Sequence, residues 1–323
     1  MNLYPLKFTP QLHAKIWGGN KLHNLLHKEP LANSGESWEI SGVENNVSVV
    51  SNGFLAENTL EELIEIYMGE LVGDKVYEKF GLAFPLLIKF IDSNDDLSVQ
   101  VHPNDKQAAE KHHSFGKTEM WYVMQSDEGA KLNCGLKGSP SESELRKLAL
   151  QGSLNEVLNF IDVKKGDSFF IPAGTVHAIG KGLLIAEIQQ TSDITYRLFD
   201  YNRLDKDGNQ RELHLEDALS AIEYSAPTPK NMCRELKADV REELINCPYF
   251  TTNIMTLSRG IQRDIYDLDS FVIYICVEGE AVLIHGENRE LIKFGECVLV
   301  PASCHQYALI PENNECKLLE VHL

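Results

Sequence analysis

Two histidines, a glutamate and a glutamine carry the most specific chemistry in the chain. In LSVQVHP, Gln100 and His102 lie two residues apart, so an extended strand turns both to one face, and Ser98 joins them there. In KTEMWYV the same alternation groups Glu119 with Trp121 and Val123. In PAGTVHAIG a Pro-Ala-Gly turn delivers His177 at the start of the next segment. His, His, Glu and Gln from three strands can therefore converge inside one β-structure. Two imidazoles, one carboxylate and an amide oxygen form a donor set that suits Zn2+, and other divalent first-row metals less exclusively. With a further position left to water or substrate, such a centre is catalytic.

The elements that must hold these residues are mostly strands. LSVQVHP, EMWYVM, DSFFIPAG, LLIAEIQQ, FVIYICVEGEAVLIHG and ECVLVPA are short, β-branched and aromatic, with turn signals about every ten residues, which predicts a mainly β protein built as a sandwich or small barrel. Two helical stretches interrupt this pattern. Residues 57–80 place Leu60, Leu63, Ile64, Tyr67 and Leu71 at helical spacing behind a Thr59/Glu62 capping box, and residues 141–161 open with the box Ser141/Glu144 and break near Gly152.

An internal repeat sets the architecture. The run Gly166, Asp167, Ser168, Phe169, Phe170, Ile171, Pro172, Ala173 and on to His177 is echoed by Gly295, Glu296, Cys297, Val298, Leu299, Val300, Pro301, Ala302 and on to His305. Upstream, Met120–Met124 has a counterpart in Val272–Cys276, which sets Phe271 where Glu119 stands in the first copy. Two copies of one β-barrel module are expected, the second without a metal and with His305 structural. The stretch EYSAPTPKNM, with Pro227 and Pro229, reads as a linker, so the expected domains are 1–230 and 231–323. His112 and His113 fall in the polar run KQAAEKHHSFGK and read as a solvated loop. Trp17 and Trp38 read as packing residues, and Ser37, Glu39 and Ser41 as one face of a strand that could wall a pocket.

Composition narrows the partners. The 323 residues carry 30 Lys and Arg against 48 Asp and Glu, a net charge of −18 that repels polyphosphate and anionic membrane surfaces at long range. Neither nucleic acid nor a membrane is expected as partner, and no apolar run is long enough to span a bilayer. Seven cysteines at irregular spacing, without a CxxC pair, fit reduced thiols in a cytoplasm.

The motifs FPLLIKFIDSNDDLSVQVHPND, GKTEMWYV, IPAGTVHAIG and LLIAEIQQTSDITYRLFDYNR resemble, in order and spacing, those of type I mannose-6-phosphate isomerases of the cupin superfamily, and LKFTPQLHAKIWGGNKL and GESWEISG are similar to the same family's N-terminal signature. The resemblance is strong over residues 5–205 and weaker beyond. It implies two cupin-type (jelly-roll) β-barrels, one zinc per chain held by Gln100, His102, Glu119 and His177, and the interconversion of mannose 6-phosphate and fructose 6-phosphate through an enediolate. It also implies that Arg197, Lys117 and Lys89 lie near the substrate, with Ser98 adding a hydroxyl contact and Glu187 beside the metal as the group that shuttles the proton; Lys117 is a further acid–base candidate. The expected assembly is a monomer or weak homodimer. Two other readings fit the same donors: a cupin oxygenase, because two histidines and a carboxylate also describe non-haem iron sites, and a non-catalytic sugar-phosphate-binding cupin.

Overall fold

The computed structural model describes residues 2–204, 208–225, 228–232, 236–313 and 315–323. Pro227 of the expected linker and Cys233 lie outside them. Strand outweighs helix by 41% to 17%, as the turn spacing predicts. The chain forms two compact units: Met1–Gln11, Trp38–Ile88 and Cys233–Leu323 make one, and Leu12–Ser37 with Lys89–Met232 make the other. The chain passes between the units after Gln11, Ser37, Ile88 and Met232, and the first three crossings have no compositional mark.

The unit containing Leu12–Ser37 and Lys89–Met232 holds the histidines. Its strands belong to two sheets. In chain order they are β1 (Gln11–Gly19), β2 (Ser34–Ser41), β3 (Leu86–Ser93), β4 (Val99–Val101), β5 (Glu119–Ser126), β6 (Lys131–Leu136), β7 (Leu158–Asp162), β8 (Ser168–Ile171), β9 (His177–Ile179), β10 (Leu183–Gln190) and β11 (Tyr196–Phe199). One sheet runs β1-β2-β3-β10-β5-β8 and the other β11-β4-β9-β6-β7.

Between these sheets, each inward-facing row changes from polar to apolar along its strand. Glu119 gives way to Trp121 and Val123, Glu187 to Ile185 and Leu183, and His177 to Ile179, the apolar members packing with Ile91, Leu132, Cys134 and Phe169 in one buried core. The polar ends thus gather at one end of the inter-sheet space. On the opposite face of the five-stranded sheet, Val99, Val101, Ala178 and Leu198 pack against Leu145, Leu154, Ala218 and Leu219, so the helices Glu142–Gln151 and Leu215–Ala221 cover that face and seal it from water.

Both capping boxes form, Thr59 with Glu62 and Ser141 with Glu144. The helical run expected over 57–80 is three short helices, Leu60–Tyr67, Gly69–Val72 and Asp74–Phe80, interrupted at Met68 and at Gly73. Gly73 has φ +99°, and a Cβ there would lie 2.5 Å from the Asp269 carbonyl oxygen, so only glycine fits the break. The expected helix over 141–161 ends at Gly152, left-handed at φ 69°, and its remainder includes β7, where Leu158 and Asp162 pair with Leu136 and Lys131 of β6. Residues 105–113 form a helix rather than a loop. Asn104 caps Asp105–His112, His113 ends it in the left-handed region, and His112 Nε2 meets the Tyr196 hydroxyl at 2.8 Å.

The repeat is topological as well as sequential. In the other unit, β12 (Arg241–Asn246), β13 (Thr251–Leu257), β20 (Cys316–His322), β15 (Val272–Glu278) and β18 (Cys297–Val300) form one sheet in that order, and β14 (Ile261–Asp264), β19 (Gln306–Pro311), β16 (Glu280–His285) and β17 (Asn288–Lys293) form another. The orders β3-β10-β5-β8 and β4-β9-β6-β7 recur as β13-β20-β15-β18 and β14-β19-β16-β17. All four sheets are open and none closes on itself, so the barrel expectation reduces to paired sheets.

Backbone pairing shifts the sequence alignment of the copies by one residue. Gly166 donates to the Val123 carbonyl at 2.9 Å and Gly295 to that of Cys276 at 2.9 Å, so Val123 corresponds to Cys276 and Glu119 to Val272 rather than to Phe271. In the same frame Glu187 pairs with Trp121 and Glu320 with Tyr274, and Gln100 pairs with His177 while Arg263 pairs with Tyr307. His305 is exposed against the Tyr266 ring, 4.9 Å between centroids, and is not a core residue. Where the first copy has its histidines, the second has a closed network: Arg263 Nη2 lies 2.7 Å from Glu320 Oε2, the Tyr274 hydroxyl donates to the same oxygen at 2.8 Å, and the hydroxyls of Tyr274 and Tyr307 are 2.8 Å apart.

The Glu320 side chain is 1% exposed and that of Arg263 17%. Removing one partner of such a pair strands a buried charge. Glu320→Ala is therefore expected to lower the stability of the protein by about 3–5 kcal/mol. Urea denaturation followed by tryptophan fluorescence and circular dichroism checks this, and Tyr307→Phe, which deletes one hydroxyl, should cost about 1 kcal/mol.

Candidate active site

Glu119 opens β5, His102 directly follows β4 and His177 opens β9, so three strand ends from two sheets deliver the three side chains to the polar end of the core. His102 Nε2 is 3.5 Å from Glu119 Oε2, His177 Nε2 is 3.4 Å from Glu119 Oε1, and the imidazole centroids are 4.7 Å apart. All three side chains are no more than 1% exposed.

The outer ring nitrogens fix the tautomers. His102 Nδ1 is 2.8 Å from the Ile194 carbonyl and His177 Nδ1 is 2.9 Å from that of Thr175. A carbonyl only accepts, so each Nδ1 carries the hydrogen and each neutral ring turns an Nε2 lone pair inward. Burial holds both imidazoles neutral, with Lys117 nearby acting in the same direction: His177 is brought down to about 4, and His102 lies well below its ordinary value. Burial also lifts Glu119 to about 8, aided by the charge of Glu187 and opposed by Lys117 and Lys89.

Acceptors therefore face acceptors. His102 Nε2 and both Glu119 oxygens are buried without a hydrogen-bond partner, the Lys117 ammonium reaching only Oε2 as an ion pair at 3.3 Å; acceptors that meet in this way cost several kcal/mol unless a cation or proton lies between them. Among the described residues this is the one set of three or more His, Cys, Asp or Glu whose donor atoms, all within 4.8 Å, could hold a metal ion. Gln100 pairs with His177 across β4 and β9, and its amide nitrogen lies 3.2 Å from His177 Nε2. A half-turn of that amide exchanges nitrogen for oxygen and adds the fourth donor. Two neutral imidazoles, a carboxylate and an amide oxygen fit zinc chemically.

Buried charges surround the four. Lys117 Nζ lies 3.3 Å from Glu119 Oε2, and Lys89 Nζ lies 3.4 Å from Glu187 Oε2 and 3.9 Å from Glu36 Oε2. Trp121 Nε1 donates to Glu187 Oε1 at 2.9 Å across the β5–β10 pair. Burial opposes the Glu187 charge, but Lys89, Lys117 and the indole N–H outweigh it and leave the carboxyl below its ordinary value. Burial likewise opposes the Lys117 charge, and Glu119, Glu187 and Glu36 outweigh it.

Ser98 is buried with its hydroxyl 3.4 Å from Gln100 Oε1. Arg197 lies opposite Gln100 across β11 and β4, on the same face as the donor set. It is half-buried, donates from Nη1 to the Glu212 carbonyl at 2.7 Å, and has a buried Nε without a partner. Asp200, the residue that could have neutralised it, is clamped instead by Arg203 and Arg211. A cavity of about 340 Å³ lined by Asp96, Asp127, Lys131, Phe160 and Tyr201 contains none of these groups, so the chemistry and not the volume locates the site.

Strand β2 departs from its sequence reading. Glu36, not Glu39, faces Lys89, which puts Ser37, Glu39 and Ser41 on the other parity of the strand. The segment GESWEISG offers a carboxylate at each parity, and alternation alone could not choose between them.

Known proteins resemble this chain along almost its whole length. A family model described as the catalytic domain of type I phosphomannose isomerase matches residues 5–129, and one described as the cupin domain of mannose-6-phosphate isomerase matches residues 241–323. The mannose-6-phosphate isomerase ManA of Bacillus subtilis (strain 168) is 38% identical over 315 residues, 96% of each chain. The mannose-6-phosphate isomerase of Streptococcus mutans is 35% identical over 323 residues, covering 97% of this chain and 99% of that one. The crystal structure of the mannose 6-phosphate isomerase from Bacillus subtilis superposes with a TM-score of 0.87 at 31% identity, covering 99% of this chain and all of the other. A phosphomannose isomerase from Salmonella typhimurium shares the fold at 16% identity, with a TM-score of 0.79. With both models matched in chain order and identity above 30% over almost the whole length, the chain belongs to the type I phosphomannose isomerase family.

Proposed function

We propose that this protein interconverts mannose 6-phosphate and fructose 6-phosphate, with one zinc ion per chain held by Gln100, His102, Glu119 and His177. The observation that carries the reading is the buried meeting of acceptors: a carboxylate faced by two neutral imidazole nitrogens, with Lys117 paired to only one of its oxygens. When bound, the metal supplies a Lewis acid for the negative charge that develops on the sugar oxygens as the carbon-bound proton leaves.

The remaining steps fall to side chains of the chain itself. Glu187, ionised beside Lys89 and Lys117, accepts the proton from C2 of the open-chain aldose and returns it to C1 of the enediolate, while the hydroxyl proton passes between O2 and O1, so that atoms and charge balance. The Trp121 N–H holds Glu187 Oε1, and Oε2, the oxygen assigned to the substrate proton, lies 3.4 Å from Lys89 Nζ. Lys117 and Lys89 supply positive charge for an anionic substrate, and Ser98 offers a hydroxyl. Arg197, with its buried unpartnered Nε, is the cation suited to an anionic group arriving from solvent. The phosphate does not react, so its contacts serve to orient C1 and C2. The second paired-sheet module, read as a cupin without metal, contributes scaffold. The proposed setting is a reduced cytoplasm, with the protein a monomer or weak homodimer; the six described cysteines are free thiols, and no helix among the described residues is long and apolar enough to cross a membrane.

Three measurements bear on this reading. A coupled assay of mannose 6-phosphate turnover should lose its signal on chelation and regain it with added zinc; turnover indifferent to chelation removes the metal from the mechanism. His102→Ala should lose its metal and its activity together, read by metal analysis of the dialysed protein, because one imidazole is a large fraction of the donor set. Glu187→Gln should keep its metal while kcat falls about 100–10,000-fold, and Lys117→Met should raise KM for the phosphorylated sugar; a Glu187→Gln variant with ordinary kcat would assign the proton transfer elsewhere.

A further inference from the structure

Five neighbouring strands each contribute one polar or aromatic side chain to a single row. In the sheet order β1-β2-β3-β10-β5 these are Lys15, Glu36, Lys89, Glu187 and Trp121. Successive contacts measure 3.3 Å (Lys15 Nζ to Glu36 Oε1), 3.9 Å (Glu36 Oε2 to Lys89 Nζ), 3.4 Å (Lys89 Nζ to Glu187 Oε2) and 2.9 Å (Glu187 Oε1 to Trp121 Nε1). Charge alternates along the row and exposure declines along it, from 33% for the Lys15 side chain through 13% for Glu36 to 5% for Lys89 and 4% for Glu187.

The row explains how Lys89 is held. An ammonium at that depth goes where the carboxylates are, because no bulk water screens or replaces them. With Glu187 alone in this row it would close further on Oε2, the oxygen that must reach the sugar, than the 3.4 Å at which it stands. Glu36, on the neighbouring strand β2, offers the ammonium a second carboxylate at 3.9 Å, and Lys89 stands off Glu187 at 3.4 Å. Lys15 fixes Glu36 in turn, with its Cβ and Cγ packed close against Gly35, where an added Cβ would lie 2.6 Å from Lys15 Cγ.

We propose that Glu36 is a positioning residue for the isomerisation: by sharing Lys89 with Glu187, it limits how tightly the ammonium closes on Glu187 Oε2, so that this oxygen can exchange the ammonium for the substrate proton. This rests on the assignment of Glu187 as the proton-transferring group. Glu36 acts through Lys89 and does not touch the reacting atoms, so its loss changes kcat rather than KM.

The experiment is a double-mutant cycle on the zinc-loaded full chain. Glu36→Gln is expected to lower kcat about 10–100-fold, with KM moving less than about twofold and zinc content unchanged, while Glu36→Asp recovers most of the loss. In a Lys89→Met background, Glu36→Gln should have an effect of less than about twofold, because the ammonium it acts on is gone. Glu36→Gln with the kcat of the parent, or an equally large effect with and without Lys89, overturns the proposal. If Glu36→Gln does not accumulate as folded protein, Lys15→Met, which removes the cation that fixes Glu36, interrupts the same row, and a kcat equal to the parent's again overturns the proposal. An unmodified chain without isomerase turnover overturns the functional reading and this proposal together, whereas an active parent with an indifferent Glu36 overturns only the latter.

Discussion

A carboxylate buried between two imidazoles that present lone pairs is the constraint from which the rest of the histidine-bearing unit follows. Glu119 loses its hydration, and the nitrogens that face it are kept from donating by the carbonyls of Ile194 and Thr175, which hold the Nδ1 hydrogens. Reversing either tautomer would give Glu119 a donor but leave a carbonyl unpaired. The cluster is thus preorganised against self-satisfaction. Such an arrangement persists only when the scaffold is stable for other reasons, and the apolar continuation of the same rows supplies that stability. Trp121, Val123, Ile185 and Ile179 lie one or two residue pairs further along the strands that carry Glu119, Glu187 and His177.

The second module shows the opposite solution to burying polar groups at the same address. Arg263 and Tyr307 take the paired positions of Gln100 and His177, and Tyr274 and Glu320 those of Trp121 and Glu187. There every donor meets an acceptor, and the charges are neutralised within the network. One topology therefore holds either a His–Glu–His set that could hold a metal ion or a closed arginine–glutamate–tyrosine network. The difference lies in a handful of inward positions at one end of the sheets, while strand order is untouched.

The centre was legible in the sequence because its geometry is local. Gln100 and His102 share a face by alternation alone, and the Pro172-Ala173-Gly174 turn announces His177. What could not be read involves partners distant in the chain. Leu158–Asp162 became strand β7 because the edge of β6 was available to it, and its local propensity did not reveal that pairing. Glu36 was passed over because Glu39 three residues on has the opposite parity, and only pairing with β1 and β3 decides which one turns inward. The same limit produced the one-residue error between the copies, where side-chain similarity favoured Phe271 opposite Glu119 and the hydrogen bonds of Gly166 and Gly295 require Val272. The early crossings of the chain between units left no mark because they fall within or at the ends of continuous strands, β1 to β3, with no change in composition.

Charge accounts for how an anionic sugar can be handled by a chain of net charge −18. The cations that matter are few and desolvated. Lys89 and Lys117 are each about 5% exposed, and each sits against carboxylates that would neutralise it in water. In the interior those carboxylates do more than neutralise, because they fix the direction in which the positive charge points. Glu119 anchors Lys117 beside the donor set, and Glu36 and Glu187 together fix Lys89 in the row that ends at Trp121. A surface rich in acid then repels polyanions at long range, while a small substrate that reaches the polar end of the core meets positive charge already held in place.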